Sequence, residues 1–321
     1  MKAYMGIDVG SVTTKLAVLD EADELLTATY LRTQGKPLAM VQQGLRDIRQ
    51  QLPPGTHICG VATTGSARYL AGVIIGADLV KNEITSHAVA ALHHVPEVQT
   101  VIEIGGQDSK LIIMRDGVVI DFAMNTVCAA GTGSFLDHQA LRLDMNIEEF
   151  GDRALLSQTA VRIAGRCTVF AESDMVHKQQ VGHRIEDILY GLCQALVRNY
   201  LNNVGLGKEI LPPVVFQGGV AFNQGIVKAL EESLGTQVIV PPRHEMMGAI
   251  GVALLVHEEM SAIGRGSEFK GFGVSEASYH TSSFECKACP NLCEVAQISL
   301  NGQILARWGG RCDLWERAPI S

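Results

Sequence analysis

The residues of this 321-residue sequence whose types and spacing can do chemistry fall into two sets, a repeated acid–glycine–lysine pattern and 8 cysteines. Residues 7–18 read Ile-Asp-Val-Gly-Ser-Val-Thr-Thr-Lys-Leu-Ala-Val and align without gaps on 102–113, Ile-Glu-Ile-Gly-Gly-Gln-Asp-Ser-Lys-Leu-Ile-Ile. A turn of small residues between two strands exposes backbone N–H groups that can cradle phosphate oxygens. Gly10, Ser11 and Thr13 are placed to do this in the first copy, and Gly105, Gly106 and Gln107 in the second. Asp8 and Asp108 lie beside those turns and can hold Mg²⁺ directly or through water. Lys15 can offset phosphate charge, and Glu103 or Gln107 can orient an attacking water, with Gln107 preferred. A third element, Gln217-Gly218-Gly219-Val220-Ala221 followed by Asn223, pairs an apolar run with two glycines and a helix start, where a flat base or ribose can lie against the backbone. Neither G-x-x-x-x-G-K-[ST] nor G-x-G-x-x-G after a strand occurs. The plain alternative is a pair of ordinary hairpins, each with an exposed acid.

The cysteines divide by context. Cys128 opens Cys-Ala-Ala-Gly-Thr-Gly ahead of a helix expected over 134–143, and Cys167 follows small residues at 163–166 and precedes Thr-Val-Phe. A helix N-terminus favours the thiolate that ligates metals, yet on residues alone each is equally readable as a core cysteine. Cys286-x-x-Cys289-Pro-Asn-x-Cys293 and, beyond an expected hairpin, Cys312 form a metal-site pattern. Tetrahedral Zn²⁺ or an iron–sulfur cluster suits four such thiols, with free or redox-paired thiols as the alternative. Cys59 and Cys193 sit in apolar surroundings and read as core. His87, His93 and His94 share one expected helix and read as solvated or capping rather than zinc-binding. Glu172 and Asp174 are as suited to helix capping as to chemistry, and His177 and Lys178 to a docking surface.

The elements that must position these residues follow from the pattern. Strands are expected at 5–10, 14–19 and 25–32, a helix at 37–52 stopped by Pro53-Pro54-Gly55, and a buried strand at 58–63. The same meander recurs after residue 100, which reads as an internal duplication with one copy opening each of two domains. A helix-rich stretch spans 147–204, a buried strand 213–216, and a Gly/Ala-rich helix 247–260. The fold class is therefore α/β: two duplicated domains, 1–85 and 86–245, with the helix of about 246–260 packing back onto the first. A polar linker over 261–283 and a cysteine-rich extension over 284–321 complete the division. The net charge of −8 argues against a nucleic-acid partner. No apolar run reaches the roughly 20 residues of a membrane helix. With no visible secretory leader the expectation is a cytoplasmic chain, where structural disulfides are rare.

The two meanders and the Gly-Gly turn resemble the acetate kinase, sugar kinase, Hsc70 and actin superfamily, whose domains are actin-like (RNase H-like) ATPase folds. More closely, Asn82-Glu-Ile-Thr-Ser-His-Ala88, Val101-Ile-Glu-Ile-Gly-Gly-Gln-Asp-Ser-Lys110, Met124-Asn125, Cys128-Ala-Ala-Gly-Thr-Gly-Ser-Phe-Leu136 and Cys167-Thr-Val-Phe-Ala-Glu-Ser173 resemble the activators (component A) of 2-hydroxyacyl-CoA dehydratases. The ATPase subunits of benzoyl-CoA reductase and the reductases of double-cubane cluster proteins belong to the same family. The resemblance covers about residues 4–258. It implies ATP/ADP and Mg²⁺ between two domains, with Gly131 and Gly133 joining the glycines at the nucleotide. It implies a homodimer in which Cys128 and Cys167 of both chains hold one bridging [4Fe–4S] cluster. Ferredoxin or flavodoxin would donate the electron, and an iron–sulfur dehydratase or reductase would receive it at the expense of ATP, as anaerobic low-potential chemistry requires. Two other readings stay open: a small-molecule kinase of the same superfamily, and a non-catalytic ATP-binding regulator with a structural zinc tail.

Overall fold

The computed structural model describes residues 1–159, 161–165, 167–312 and 314–315; Ala160, Arg166, Asp313 and residues 316–321 lie outside it. The chain divides into one unit of residues 1–82 with 252–321 and a second of residues 83–251.

In the first unit, β1 (Lys2–Val9), β2 (Thr13–Asp20) and β3 (Leu25–Arg32) form an antiparallel meander, followed by α1 (Pro37–Gln51), β4 (His57–Thr64), α2 (Arg68–Ile75) and β5 (Leu79–Val80). The sheet order is β3-β2-β1-β4-β5, with β1 parallel to β4 and β4 parallel to β5. Strand β1 is buried on both faces from Ala3 to Val9, as a central strand must be. Helix α1 starts on Pro37, a residue that needs no N–H in a first turn. It buries Val41, Leu45 and Ile48, spaced to share one face. Full burial of such a side chain contributes about 1.5–3 kcal/mol. Gly44 lets α1 approach β2, since a Cβ there would stand 2.3 Å from Leu16.

The second unit repeats this plan. Helix α3 (Glu83–His94) precedes β6 (Thr100–Ile104), β7 (Ser109–Arg115) and β8 (Val118–Asn125), again a meander. Then come α4 (Gly133–Arg142), α5 (Ile147–Leu155), α6 (Thr168–Gln180), α7 (Ile185–Tyr200), β9 (Val214–Gln217), α8 (Gln224–Leu234) and β10 (Val238–Ile239). The order β10-β9-β6-β7-β8 is the first sheet's order written from its other edge, with β9 parallel to both β6 and β10. The duplication expected from sequence is thus a duplication of topology. Helix α7 supplies the core stripe of Leu189, Leu192 and Leu196, with Cys193 fully buried among them.

Helix α9 (Met247–Ile263) spans the boundary between the units. Its Val252, Val256 and Met260 pack on Tyr4 and Ala62 of the first unit. Within the stretch expected as a linker, Asp78 accepts hydrogen bonds from Ser267 and the Glu268 N–H, Lys270 N–H reaches the Ile75 carbonyl, and Arg46 reaches the Ser275 carbonyl. A last sheet of β11 (Tyr279–Glu285), β12 (Glu294–Leu300) and β13 (Gln303–Trp308) follows, antiparallel throughout. No helix among the described residues is long and apolar enough to cross a membrane.

Candidate functional site

The two glycine turns are built alike. In the first, Gly10 N–H closes on the Thr13 carbonyl at 2.9 Å; in the second, Gly105 N–H closes on the Asp108 carbonyl at 3.0 Å. These two N–H groups therefore stabilise the turns, and the donors left to face a ligand belong to the later residues, Ser11 to Thr13 and Gly106 to Gln107. Ser11 and Gln107 are exposed. Across each hairpin the acid and the lysine are direct partners, Asp8 opposite Lys15 and Glu103 opposite Lys110. Both pairs are ion pairs, at 3.0 Å for Asp8–Lys15 and 2.9 Å for Glu103–Lys110. Lys110 also holds Asp108 at 2.8 Å, whose carboxylate is 40% exposed. Burial works to lower the Lys110 pKa, but the Glu103 and Asp108 carboxylates outweigh it and hold the ammonium well above the ordinary lysine range. Lys110 is a site residue that sequence reasoning passed over. Its alignment with Lys15 was the available signal.

The third element closes on the second turn. Gly218 has φ +95°, and a Cβ there would stand 2.5 Å from the Ile104 carbonyl and 2.9 Å from Glu103 Oε1, so the position requires glycine. Its N–H donates to the His244 carbonyl at 2.9 Å. Gly219 opens a short 3₁₀ turn that runs to Phe222. Asn223 then caps α8 by accepting the Ile226 N–H at 3.1 Å. Phe222 is 63% exposed, with its ring edge-to-face on His244 at 4.3 Å. Neither of these was singled out in the sequence, because an aromatic three residues past Gly-Gly carries no pattern of its own.

Four buried polar side-chain atoms without a partner lie on these segments, and others lie elsewhere, on His94, Gln139, Tyr190 and Trp315. Thr64 Oγ1 lies on the strand residue beside Asp8, Ser109 Oγ follows Asp108, Gln217 Oε1 precedes Gly218, and Asn223 Nδ2 ends the loop. A folded chain rarely leaves such groups unpaired unless a ligand or ion completes them. Each unit thus presents a glycine turn with a carboxylate beside it, Asp8 in the first and Asp108 in the second, groups of the kind that suit phosphate and Mg²⁺.

Cys128 and Cys167 both lie in the second unit and both stand immediately before a helical segment. Cys128 precedes a 3₁₀ turn over Ala129–Gly131 and then α4; Cys167 is the N-cap of α6. Asn125 clamps the first, accepting the Cys128 N–H at 2.9 Å and donating to its carbonyl at 2.8 Å. Glu172, on the first turns of α6, binds Arg142 at 2.6 Å and His138 at 3.2 Å on α4. Asp174 accepts the Ala164 N–H at 2.8 Å, fixing the segment that leads to Cys167. Both acids therefore hold the cysteine-bearing segments in place. Each thiol is half-buried and has exposed apolar neighbours: Val127 is 94% exposed, and Val169 and Phe170 are 65% exposed. A thiol at the start of a helix favours the thiolate form that ligates metals.

The second glycine turn is joined to the Cys128 segment. Gly133 and Ser134 N–H groups, at the start of α4, donate to the Gly105 and Gly106 carbonyls at 2.9 and 2.8 Å. A Cβ on Gly133 would press the Gly105 carbonyl at 3.1 Å, and one on Gly131 would press Asn199 Oδ1 at 2.9 Å. Both glycines thus serve close packing behind the turn.

Of the other cysteines, Cys193 is buried and its thiol pKa is pushed up by burial. Cys59 is half-buried at the edge of the Tyr4–Val256 cluster. His87 Nδ1 pairs with Gln217 at 2.9 Å, and burial, then the neighbouring His93, holds the His94 pKa below its usual value. His177 is exposed in the last turn of α6, beside Lys178. Among the described residues no three His, Cys, Asp or Glu side chains come together as a metal-holding group.

The BadF/BadG/BcrA/BcrD ATPase family model matches residues 5–256. The chain is 34% identical over 262 residues to the (R)-2-hydroxyglutaryl-CoA dehydratase activating ATPase of Acidaminococcus fermentans, covering 79% of this chain and 97% of that protein. It is 32% identical over 266 residues to the activator of lactoyl-CoA dehydratase of Anaerotignum propionicum, again covering 79% and 97%. Among solved structures, the activator of the 2-hydroxyisocaproyl-CoA dehydratase from Clostridium difficile with bound ADPNP superposes with a TM-score of 0.73 at 31% identity, over 82% of this chain and 97% of that one.

Proposed function

The chain belongs to the BadF/BadG/BcrA/BcrD ATPase family, and from that premise we propose that it is an ATP-driven electron-transfer activator working as a homodimer. Cys128 and Cys167 of each subunit would hold one [4Fe–4S] cluster, because two thiols per chain make half a ligand set and a two-fold axis supplies the other half. The cluster, when bound, supplies one-electron chemistry. The chain's own residues do the rest. The glycine turns hold phosphate, Asp8 and Asp108 hold Mg²⁺, and Gln107, exposed at the tip of its turn, orients the attacking water. Phe222 offers an exposed ring on which a base can stack.

The observation that carries this reading is the pair of hydrogen bonds from Gly133 and Ser134 to the carbonyls of Gly105 and Gly106. A change in the phosphate turn with nucleotide state pulls on the start of α4, and so on Cys128. Glu172 passes the displacement to α6 and Cys167. Hydrogen bonding and exposure around a cluster set its potential, so nucleotide turnover can drive an electron taken from ferredoxin or flavodoxin to a more reducing level. The receiver would be an iron–sulfur dehydratase or reductase of the kind served by the relatives named dehydratase activators.

The test is anaerobic purification with iron and sulfide analysis and EPR of the reduced protein with and without ATP. About four iron per dimer is expected, with a spectrum that responds to ATP, and loss of both iron and sulfide in Cys128→Ala and Cys167→Ala. Full iron in both variants would refute the ligand assignment. A phosphorylated small-molecule product without iron would favour a kinase instead.

A further inference from the structure

The cysteine-rich extension lies beyond the stretch matched by the family model, which ends at residue 256. Strand β12 runs antiparallel to both of its neighbours. The end of β11, the start of β12 and the end of β13 therefore share one end of the sheet. All four cysteines of the extension fall there: Cys286 just after β11, Cys289 in the connecting loop, Cys293 just before β12, and Cys312 a few residues after β13.

The backbone is shaped to draw them closer. Glu285 pairs with Glu294 as the last rung of the β11–β12 ladder, and the Cys286 N–H then donates to the Cys293 carbonyl at 2.8 Å. Between them the loop turns tightly, with Leu292 N–H on the Cys289 carbonyl and Leu292 itself at φ +45°. On the other side, Gly309 has φ +99°, and a Cβ there would stand 2.8 Å from the Glu294 carbonyl. Only glycine lets the chain leave β13 pressed against the first residue of β12, on the side of the sheet end where Cys293 stands. The chain then folds back, since the Trp315 ring packs edge-to-face on Phe284 at 4.8 Å.

This end of the sheet has little else to hold it. Ile298 and Leu305 pack into the core of the first unit, whereas at the cysteine end Val295 and Cys286 are the buried side chains, with Trp308 partly buried beside them. A small scaffold without enough apolar burial is commonly stapled by a structural metal. The spacing of two residues between Cys286 and Cys289 and three between Cys289 and Cys293 is that of tetrahedral thiolate sites. Lys287 and Arg311 stand next to the outer cysteines and offset the negative charge that four thiolates leave on a divalent ion. Cys289 and Cys312 are exposed and the four sulfurs are not yet gathered around one point, so the candidate site is empty and would close on binding.

We propose that Cys286, Cys289, Cys293 and Cys312 form a structural zinc site of four thiolates, separate from the cysteines of the second unit. The test uses the full chain carrying Cys128→Ala and Cys167→Ala, so that iron at those positions does not contribute, with zinc measured by elemental analysis and by thiol-reagent release. About one zinc per chain is expected. Cys289→Ser and Cys312→Ser, both at exposed positions that leave the core untouched, should each lose most of it, while Cys59→Ser keeps it. Cobalt in place of zinc should give the absorption of a tetrahedral thiolate centre. Zinc absent from the folded parent even after incubation with the metal, zinc retained in both serine variants, or iron with labile sulfide in its place would each overturn the proposal. None of these outcomes depends on whether the second unit binds a cluster.

Discussion

Replacing Lys110 by methionine removes a buried ion pair at the heart of the second unit. The Lys110–Glu103 pair, at 2.9 Å, joins side chains that are 4% and 5% exposed, whereas its 2.8 Å partner Asp108 is 40% exposed. Water screens the Asp108 arm, which is worth about 0–1 kcal/mol. The Glu103 arm dominates, because both of its side chains are buried and replacing one member of such a pair costs about 3–5 kcal/mol. At about 2–4 °C per kcal/mol for a unit of this size, Lys110→Met should lower the melting midpoint by roughly 6–20 °C. Methionine keeps the length of the stem, so packing changes little. Adding Glu103→Gln removes the buried negative charge and should restore part of that loss. Urea unfolding followed by circular dichroism on wild type, both single variants and the double variant measures the coupling. A single-variant loss under about 1 kcal/mol, or a double variant less stable than Lys110→Met, would refute the reasoning from buried charge. The lysine does not make stability pH-dependent near neutrality. Its folded pKa lies above its unfolded one, so its contribution is complete below the unfolded value of about 10.4 and fades only as pH rises through the folded value.

Three more outcomes follow from the same geometry. Gly218→Ala forces a Cβ to 2.5 Å from the Ile104 carbonyl at φ +95°; it should cost about 1–3 kcal/mol and abolish ATP binding by calorimetry, and unchanged affinity would count against the Gly-Gly turn as part of the site. Phe222→Ala, at an exposed ring, should weaken ATP binding by about 1–3 kcal/mol with no change in melting midpoint, and equal affinity for ATP and inorganic triphosphate in the wild type would remove the stacking role. Asp187 accepts the Thr159 and Gln158 N–H groups and the Ser157 hydroxyl, which hold its pKa below the usual carboxylate range. Its contribution is therefore present above its unfolded pKa of about 3.9 and lost as pH falls through the lower folded value; the slope of urea midpoint against pH in that acid range should flatten in Asp187→Asn, and parallel slopes would contradict it.

Much of the site was legible before any coordinates. The acid, glycine and lysine recur in one register because each sits at a fixed point of a three-stranded meander, and period-two strands with small-residue turns leave a strong local trace. The apolar spacing of α1 and of α7 is equally local. Other features left little. The alignment marked Lys110 as the counterpart of Lys15, but its burial and its second partner, Asp108, came only from the fold. Glu172 and Asp174 were ambiguous because their partners, Arg142 and Ala164, lie on other segments. Phe222 owes its place to a 3₁₀ turn that no periodicity announces.

The sequence by itself determined the chemistry on offer: two phosphate-type turns with an acid and a lysine apiece, two cysteines in helix-opening motifs, and four more in a spaced extension. Those properties depend on residue type and short spacing, which the chain carries wherever it folds. Tertiary structure alone decided what is connected to what. It made Lys110 the buried counter-charge of Glu103. It hung the start of α4 on the carbonyls of the second turn and bound α4 to α6 through Glu172. It brought four cysteines to one end of a three-stranded sheet. These are contacts between segments far apart in the chain, fixed by strand order and helix packing.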